Sequence, residues 1–413
     1  MTLMTLLRRH LLATCLAMAV VGGVATGVVW ALLGSAEGPQ PAAPVGNAEA
    51  VYAPDGRLLG APSGYDESVE FPPSLSALPN PPTHLSVDPA TGHLWFPIFT
   101  YDGVANILHH FDPASGSTEE FEVPASDGSE MLSAIAIDDR GRVVFAEGHS
   151  VNIFDPELQT LEQLELPAQS QHRIEDGDGD PAWITAMALD GGLAYISRMN
   201  VAAIIQLDLE TGETAELPIP ASFGQVWDLA LSNNRLVMSS RWDIEGGPSA
   251  QTAYLHVTSG TFTDLRAKTS AVASNSTGTT FVAGWPPVGL AEMVGDTLAS
   301  AKERVADGSS LLSVEDGLGA LGHVAVSEAG DVWVVGEGSD AIVHYLPQRG
   351  EAVSHRLPEY SAEGLSAIVR GCWYGCEDVA RSTTRVRGLA VAPNGDLYFS
   401  DATMNRIGVI HVD

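Results

Sequence analysis

Short segments in which apolar and polar residues alternate recur from about residue 85 to the end of the chain, each followed by a turn rich in Gly, Asn or Asp. Examples are LSVDPATGHLWF at 85–96, IAIDDRGRVVF at 135–145 and LAVAPNGDLYF at 389–399. A period of two predicts half-buried β-strands, and the turn residues suit tight hairpins with positive φ. The segment 290–305 is the one stretch whose pattern also fits a short helix, with a distorted hairpin as the alternative.

A third and a fourth strand follow each of these hairpins, and the fourth usually ends in an apolar residue and a proline, as in Val123-Pro124 and Leu166-Pro167. Proline suits an outer edge strand, where its missing N–H costs no ladder bond. The turn anchors that mark the repeat are Asp88, Asp138, Asp190, Ser232, Ser274, Ser327 and Ala392. Seven such units predict an all-β, seven-bladed β-propeller. A six-bladed ring is the alternative, because the unit around Ser274 is degraded.

The last unit has only three strands before the chain ends, and the segment ESVEFPPS at 67–74 matches the fourth-strand pattern EEFEVPAS at 119–126. We therefore expect the N-terminal strand to complete the last blade, with Val69 and Phe71 beside 407–410. Such closure removes the exposed edges of an open array. It makes residues 51–413 one propeller domain.

The N-terminal residues 1–34 have a different character. Arg8 and Arg9 precede an uncharged apolar run, 11–33, which as a helix would span roughly 34 Å, enough to cross a bilayer. The arginines predict a cytoplasmic N-terminus and an exported propeller in the cell envelope. The alternative is a signal peptide cleaved near Ala36, which would leave a secreted or periplasmic protein. Residues 35–50 are rich in Pro, Ala and Gly and are typical of a linker.

The chain of 413 residues carries a formal net charge of −32. An acidic surface of this kind repels phosphate backbones, which excludes nucleic acid as a partner. It suits cations, basic ligands or simple solvation.

Strand-one starts and strand-two ends meet around one mouth of a propeller channel, so polar residues at these positions are the candidate site. The candidates for ligand binding are Trp227, Asp228, Arg241, Glu337, Arg387 and Asp401. The candidates for catalysis are His84, Glu147, His149 and His323. The same residues also suit a water-lined channel whose side chains bond between blades.

Two insertions reach the same face. Asp176, Asp178 and Asp180 alternate as in a calcium loop, but the twelfth position of that loop is Met187 instead of Glu, so a solvated acidic turn is the alternative. Cys372 and Cys376 are the only cysteines outside the apolar run. In an exported segment they predict a disulfide, with free or packed thiols as the alternative.

The phrases DPATGHLWF with NILHHFDPASGSTEEFEVPA, and PNGDLYFSDATMNRIGVI, resemble repeats of the streptogramin (virginiamycin B) lyase family, and the latter also resembles NHL-type propellers. The resemblance implies a propeller and, for the lyases, a His together with a Glu-x-His that hold Mg²⁺ and act on a lactone by elimination. Glu147-Gly148-His149 matches Glu-x-His here, and His84 stands at the adjacent strand-one start.

Two functions follow from these observations. The first is a membrane-tethered binding module for a small molecule or a protein at the propeller mouth. The second is a metal-dependent lyase or lactone hydrolase that uses Mg²⁺ or Ca²⁺, with Glu147 and His149 as metal ligands.

Overall fold

Seven four-stranded antiparallel sheets contain the twenty-eight strands of the described chain, which confirms the seven-bladed propeller and decides against six blades. This computed structural model describes residues 68–80, 82, 84–98, 105–124, 132–167, 170, 172, 183–241, 251–284, 289–300, 321–336, 341–358, 386–402 and 404–412. These residues all belong to one compact unit, Glu49–Asp413. No helix within these ranges has the length and hydropathy of a membrane span. The apolar run 11–33 and the linker 35–50 lie outside the described residues.

The blades follow one another in chain order, and each is numbered here from its innermost strand outwards. Blade one comprises β2 (Ser86–Val87), β3 (Leu94–Ile98), β4 (Ala105–Asp112) and β5 (Ser117–Pro124). Blade two comprises β6 (Leu132–Ile137), β7 (Val143–Glu147), β8 (Ser150–Asp155) and β9 (Thr160–Glu165). Blade three comprises β10 (Ile184–Asp190), β11 (Leu193–Arg198), β12 (Ala203–Asp208) and β13 (Thr214–Pro218). Blade four comprises β14 (Gln225–Ser232), β15 (Arg235–Arg241), β16 (Gln251–His256) and β17 (Thr261–Asp264).

The second half of the ring repeats this arrangement. Blade five comprises β18 (Thr269–Ser274), β19 (Thr280–Gly284), β20 (Leu290–Val294) and β21 (Thr297–Ser300). Blade six comprises β22 (Leu321–Val326), β23 (Val332–Gly336), β24 (Ala341–Leu346) and β25 (Glu351–Arg356). Blade seven comprises β26 (Val386–Val391), β27 (Leu397–Asp401), β28 (Arg406–Ile410) and, as its outermost strand, β1 (Val69–Glu70). Two short 3₁₀ turns, Pro73–Leu75 and Ala221–Phe223, complete the regular structure of the described residues.

The second strand of a blade is its most buried part. All five residues of β7 are buried, whereas β9, at the rim of the same blade, is almost wholly exposed. Apolar side chains of neighbouring blades pack face to face, and Trp95 of blade one meets Phe145 and Phe154 of blade two in one cluster. Each fully buried side chain of this kind contributes about 1.5–3 kcal/mol relative to exposure.

The two ends of the propeller meet in blade seven, with Val69 opposite Ile410 and Glu70 opposite Val409, which is the pairing that the sequence predicts. The Phe71 ring packs edge-on against Phe399, with their centroids 5.8 Å apart. On Phe71 lies the guanidinium of Arg406, whose Cζ is 3.7 Å from the ring centroid.

A buried ion pair holds this guanidinium in place. Asp401 Oδ2 accepts hydrogen bonds from Nε and Nη2 of Arg406, at 3.0 and 2.9 Å. Gly408 passes between the two phenylalanine rings, and a Cβ at this position would collide with Phe399 and come within 2.9 Å of Phe71. Glycine at 408 therefore lets the rings and the guanidinium stack across the seam.

Blade five corrects one detail of the repeat. The backbone N–H of Asn275 bonds to the carbonyl of Thr279, as the N–H of Ser327 bonds to that of Asp331 in blade six. The turn anchor of blade five is thus Asn275. The sequence analysis assigns it to Ser274, which is wrong by one residue. The segment 290–305 begins with the hairpin of β20 and β21, so its hairpin alternative is the correct one.

We expect the seam to carry much of the stability of the ring. Phe71→Ala removes a ring that is 1% exposed and leaves a cavity beside Phe399, so the free energy of unfolding should fall by about 3–5 kcal/mol. Chemical denaturation monitored by Trp fluorescence measures this change. Leu158→Ala, at a side chain 70% exposed in the β8–β9 turn, is the control and should stay within about 0.5 kcal/mol of wild type. Equal effects of the two substitutions would contradict the role of the seam.

Candidate functional site at the channel mouth

The innermost strands of six blades are all bulged at one repeat position, two or three residues into the strand. The strand register shifts between Leu132 and Ala134, Ile184 and Ala186, Val226 and Asp228, Thr269 and Ala271, Leu321 and His323, and Val386 and Leu389. A bulge leaves its extra residue out of the ladder and re-aims the neighbouring side chains. Here the bulges surround one end of the channel.

A cavity of about 360 Å³ occupies this end of the channel. Every blade contributes to its wall. The lining residues that carry polar side chains are His84, Thr185, Trp227, Asp228, Ser270, His323 and Arg387. Small residues of the bulges, among them Ala134, Ala186, Gly322 and Gly388, leave the space open.

Three basic side chains form an arc on blades one, seven and six. Burial, with a smaller contribution from the Arg387 guanidinium, lowers the pKa of His84 to about 4. Burial, followed by the effects of His84 and Arg387, lowers the pKa of His323 to about 4. Both imidazoles are therefore neutral at pH 7, and Arg387 supplies the positive charge of the arc.

Trp227 and Asp228 lie on blade four, three blades away from Arg387 in one direction around the ring and four in the other. The Asp228 carboxylate accepts the backbone N–H of Leu229 and, from blade five, the N–H of Val272, both at 2.9 Å. Burial nevertheless outweighs these bonds and raises the pKa of Asp228 to about 6. Trp227 is 37% exposed.

The hydroxyl residues of the cavity join neighbouring blades. Thr185 donates to the carbonyl of Val226 at 2.6 Å, and Ser270 donates to the carbonyl of Leu321. Hydrogen bonding between blades is the alternative role that the sequence analysis gives for polar residues at the mouth, and Thr185 and Ser270 have this role. For Asp228 the structure gives the same role through Val272.

Five of the predicted residues thus come together in one cavity: His84, Trp227, Asp228, His323 and Arg387. Glu147 is fully buried as the last residue of β7, and His149 lies in the turn to β8; neither lines the cavity. The carbonyls of this turn accept the N–H groups of Ile184 and Leu166. Asp401 is buried under Arg406 at the seam. The roles predicted for these three side chains stay predictions.

The remaining candidates cannot be located as side chains. Arg241 ends β15, opposite Gln225, and only its backbone is described. Glu337, the acidic residues Asp176, Asp178 and Asp180, and Cys372 with Cys376 lie outside the described residues. Within the described ranges no three His, Cys, Asp or Glu side chains are grouped to hold a metal ion.

Thr185 and Ser270 are the polar cavity residues that the sequence analysis does not nominate as candidates. In blade three the bulge residue Thr185 lies five residues before the anchor Asp190. The same spacing from Asn275 places the bulge of blade five at Ser270, whereas counting from Ser274 places it one residue too early. The signal was present in the spacing of the repeat.

No family profile matches the chain, and no curated protein sequence matches it. Solved structures do match. A streptogramin B lyase shares 13% identity and a TM-score of 0.59 over 84% of this chain and 97% of its own. Virginiamycin B lyase from Staphylococcus aureus shares 12%, with a TM-score of 0.56 over 83% and 99%. The WD40 repeats of RRP9 share 11%, with a TM-score of 0.57 over 84% and 98%. At these identities the likeness establishes the fold, a streptogramin lyase-like β-propeller.

The two neutral histidines should make the fold sensitive to acid. Their pKa values fall from 6.5 in the unfolded chain to about 4, so the stability they contribute is complete above pH 6.5 and is lost as the pH drops towards 4. The pKa of Asp228 is raised from 3.8 to about 6, so its contribution has the opposite sign and is lost as the pH rises through that window.

The melting temperature of the wild type should therefore fall between pH 7 and 4.5, and that of the double variant His84→Asn/His323→Asn should fall less. Scanning fluorimetry over this range measures both slopes. His256→Asn on β16, which lies outside the cavity, should keep the wild-type slope. An unchanged slope in the double variant would show that these imidazoles do not charge on acidification.

Proposed function

We propose that this chain, which has the fold of the streptogramin lyases, is a binding module that takes a carboxylate-bearing small molecule or peptide end into the cavity at its channel mouth. The observation that carries the proposal is the pairing of a cationic arc with an exposed indole across one cavity. A volume of about 360 Å³ falls in the usual range of small-molecule sites.

Arg387 defines the charge of the ligand. Its side chain is exposed to the cavity and has no ion-pair partner among the described residues. A guanidinium binds a carboxylate through two parallel hydrogen bonds. The surrounding protein, with its net charge of −32, repels anions in general, so the Arg387 side of the cavity, across from Asp228 on blade four, is the favourable place for one.

Trp227 indicates that the uncharged part of the ligand is planar and apolar. The indole faces the same space from blade four, and an exposed Trp offers a flat apolar surface on which a planar group stacks. The neutral imidazoles of His84 and His323 add hydrogen-bonding groups without a charge that would compete with Arg387.

We further propose that the propeller is exported and held at the membrane by the run 11–33. The supporting features are the uncharged length of this run, the preceding arginines and the linker at 35–50. Recovery of the protein in the soluble fraction, with a mature N-terminus near Ala36, would instead support the cleaved alternative.

Binding can be tested with a matched pair of probes, phenylacetate and phenylacetamide, by isothermal titration calorimetry. Phenylacetate should bind, and Arg387→Gln should weaken it at least tenfold, because a hydrogen bond to a charged group contributes about 1.5–3 kcal/mol. Trp227→Ala should weaken both probes. Arg349→Gln, at an exposed turn of blade six, is the control and should bind like wild type. Equal affinity for the amide and the acid would refute the role of Arg387.

The lyase or lactone hydrolase is the second candidate, and it is favoured by the two neutral histidines that face one cavity. Under this alternative His84 and His323 act on the substrate, while Glu147 and His149 hold Mg²⁺ or Ca²⁺.

Metal analysis separates the two candidates. The enzyme predicts a stoichiometric Mg²⁺ or Ca²⁺ that is lost in His149→Ala, together with a thermal shift on adding either ion. The binding module predicts no thermal shift with either ion and unchanged phenylacetate binding in His149→Ala.

A further inference from the structure

Two histidines of blade one face each other at the end of the propeller opposite the mouth. His93 lies in the turn before β3, and His110 lies in β4. The Nδ1 atom of His93 is 2.8 Å from Nε2 of His110. Both side chains reach solvent, with 31% and 17% of their surfaces exposed. Neither residue belongs to the channel cavity.

The other nitrogen of each ring faces a carboxylate. His93 Nε2 is 3.6 Å from Asp112 Oδ1, and His110 Nδ1 is 3.5 Å from Glu119 Oε2. Carboxylates in this position attract the N–H of the imidazole on their own side. The contact between the two inner nitrogens is a hydrogen bond, in which a proton lies between them. A metal ion bound by both nitrogens would take the place of this proton.

The pair is held in place by its surroundings. The His110 ring stacks on Trp95, with centroids 4.4 Å apart. Asp112 is fixed by hydrogen bonds from the N–H of Ala114 at 2.8 Å and the hydroxyl of Ser115 at 2.7 Å. The arrangement of imidazole with an outer carboxylate is the usual second layer of a protein metal site.

We propose that His93 Nδ1 and His110 Nε2 bind a divalent transition-metal ion of the Zn²⁺ type, with Asp112 and Glu119 orienting the rings from behind. Imidazole nitrogen selects Zn²⁺, Cu²⁺ or Ni²⁺ over Mg²⁺ and Ca²⁺. Since no group of three metal-binding side chains is present in the described residues, water completes the coordination. Zn–N distances of about 2.0–2.1 Å require the rings to part slightly, which the turn position of His93 allows.

The proposed ion lies next to the closing seam of the ring. Gly92, adjacent to His93, approaches the side chain of Pro393 in blade seven, and Ser74, just after the closing strand, donates to the carbonyl of Gly116 in blade one at 3.0 Å. An ion that joins the turn before β3 to β4 stabilises the folded ring by mass action, because the unfolded chain lacks the preformed pair.

Blade six contains the matched control. Trp333 stacks on His344 at 3.9 Å and pairs with it across the strands, as Trp95 does with His110. The place of His93 is taken there by Asp331, whose carboxylate is 3.8 Å from His344 Nε2. Blade six therefore has the stack and the carboxylate, while its second imidazole, His355, has its ring centroid 6.4 Å from that of His344 and contacts the Ser68 hydroxyl through Nδ1 at 3.0 Å.

The test uses full-length protein stripped with EDTA and titrated with ZnSO₄, NiSO₄ or MgSO₄ in calorimetry and thermal melts. Wild type should bind Zn²⁺ and Ni²⁺ and melt at a higher temperature with them, whereas Mg²⁺ should have no comparable effect. His93→Gln and His110→Gln should each lose one equivalent of Zn²⁺. His344→Gln should retain it, and Asp112→Asn should weaken it about tenfold.

Melts in EDTA establish that each variant is folded. Should His110→Gln prove unfolded because it loses the Trp95 stack, His93→Gln, at the turn, decides the question. Zinc stoichiometry and thermal shift that are unchanged in folded His93→Gln would overturn the proposal. So would a wild type that binds Zn²⁺ and Mg²⁺ alike, since that would indicate unspecific attraction to the acidic surface.

Discussion

The ring exists because two distant parts of one chain share a sheet. Val69 and Glu70 supply the outer edge of blade seven, and the three other strands of that blade come from the C-terminal residues. The strand pairing is only two residues long, with one further main-chain bond from the His411 N–H to the Ser68 carbonyl. The side chains beside this pairing therefore determine that the ring closes in this register, since Asp401 holds Arg406 and Arg406 covers Phe71. Breaking such a buried pair from one side leaves an uncompensated charge, so the three groups act as a unit.

The seam and the cavity are linked through the same blade. Arg387 stands on β26, the inner strand of blade seven, and the seam closes that blade on its outside. The inner strands of six blades give up a regular ladder at their bulges, and this loss turns side chains of those blades towards one space. Fold and site are thus two consequences of one repeat: regular pairing outside makes the wall, and interrupted pairing inside makes the cavity.

The sequence predicts the scaffold well because alternation, turn glycines and the outer-strand proline recur at fixed places in every blade. It also predicts five residues of the cavity, since repeat position determines the face on which a side chain lies. It fails where a local count slips by one residue, as at Ser274 and Asn275, and Ser270 is missed for that reason. The pairing of His93 with His110 was not predicted, because it depends on the tilt of two rings, 17 residues apart, around Trp95. Asp401 looks like a mouth residue in the repeat, and only its partner Arg406 reveals its part in closure.

The shortness of β1 has a mechanical consequence. A pulling force applied to the chain at Ser68 is resisted by the two residue pairs of β1, by the bond from the His411 N–H to the Ser68 carbonyl, and by the contact of the Ser68 hydroxyl with His355 of blade six. Next in line are the Phe71 ring and the guanidinium stacked on it. The β1–β28 contact that closes the ring is therefore also the contact at which tension would open it, and its strength sets the force that the propeller can withstand.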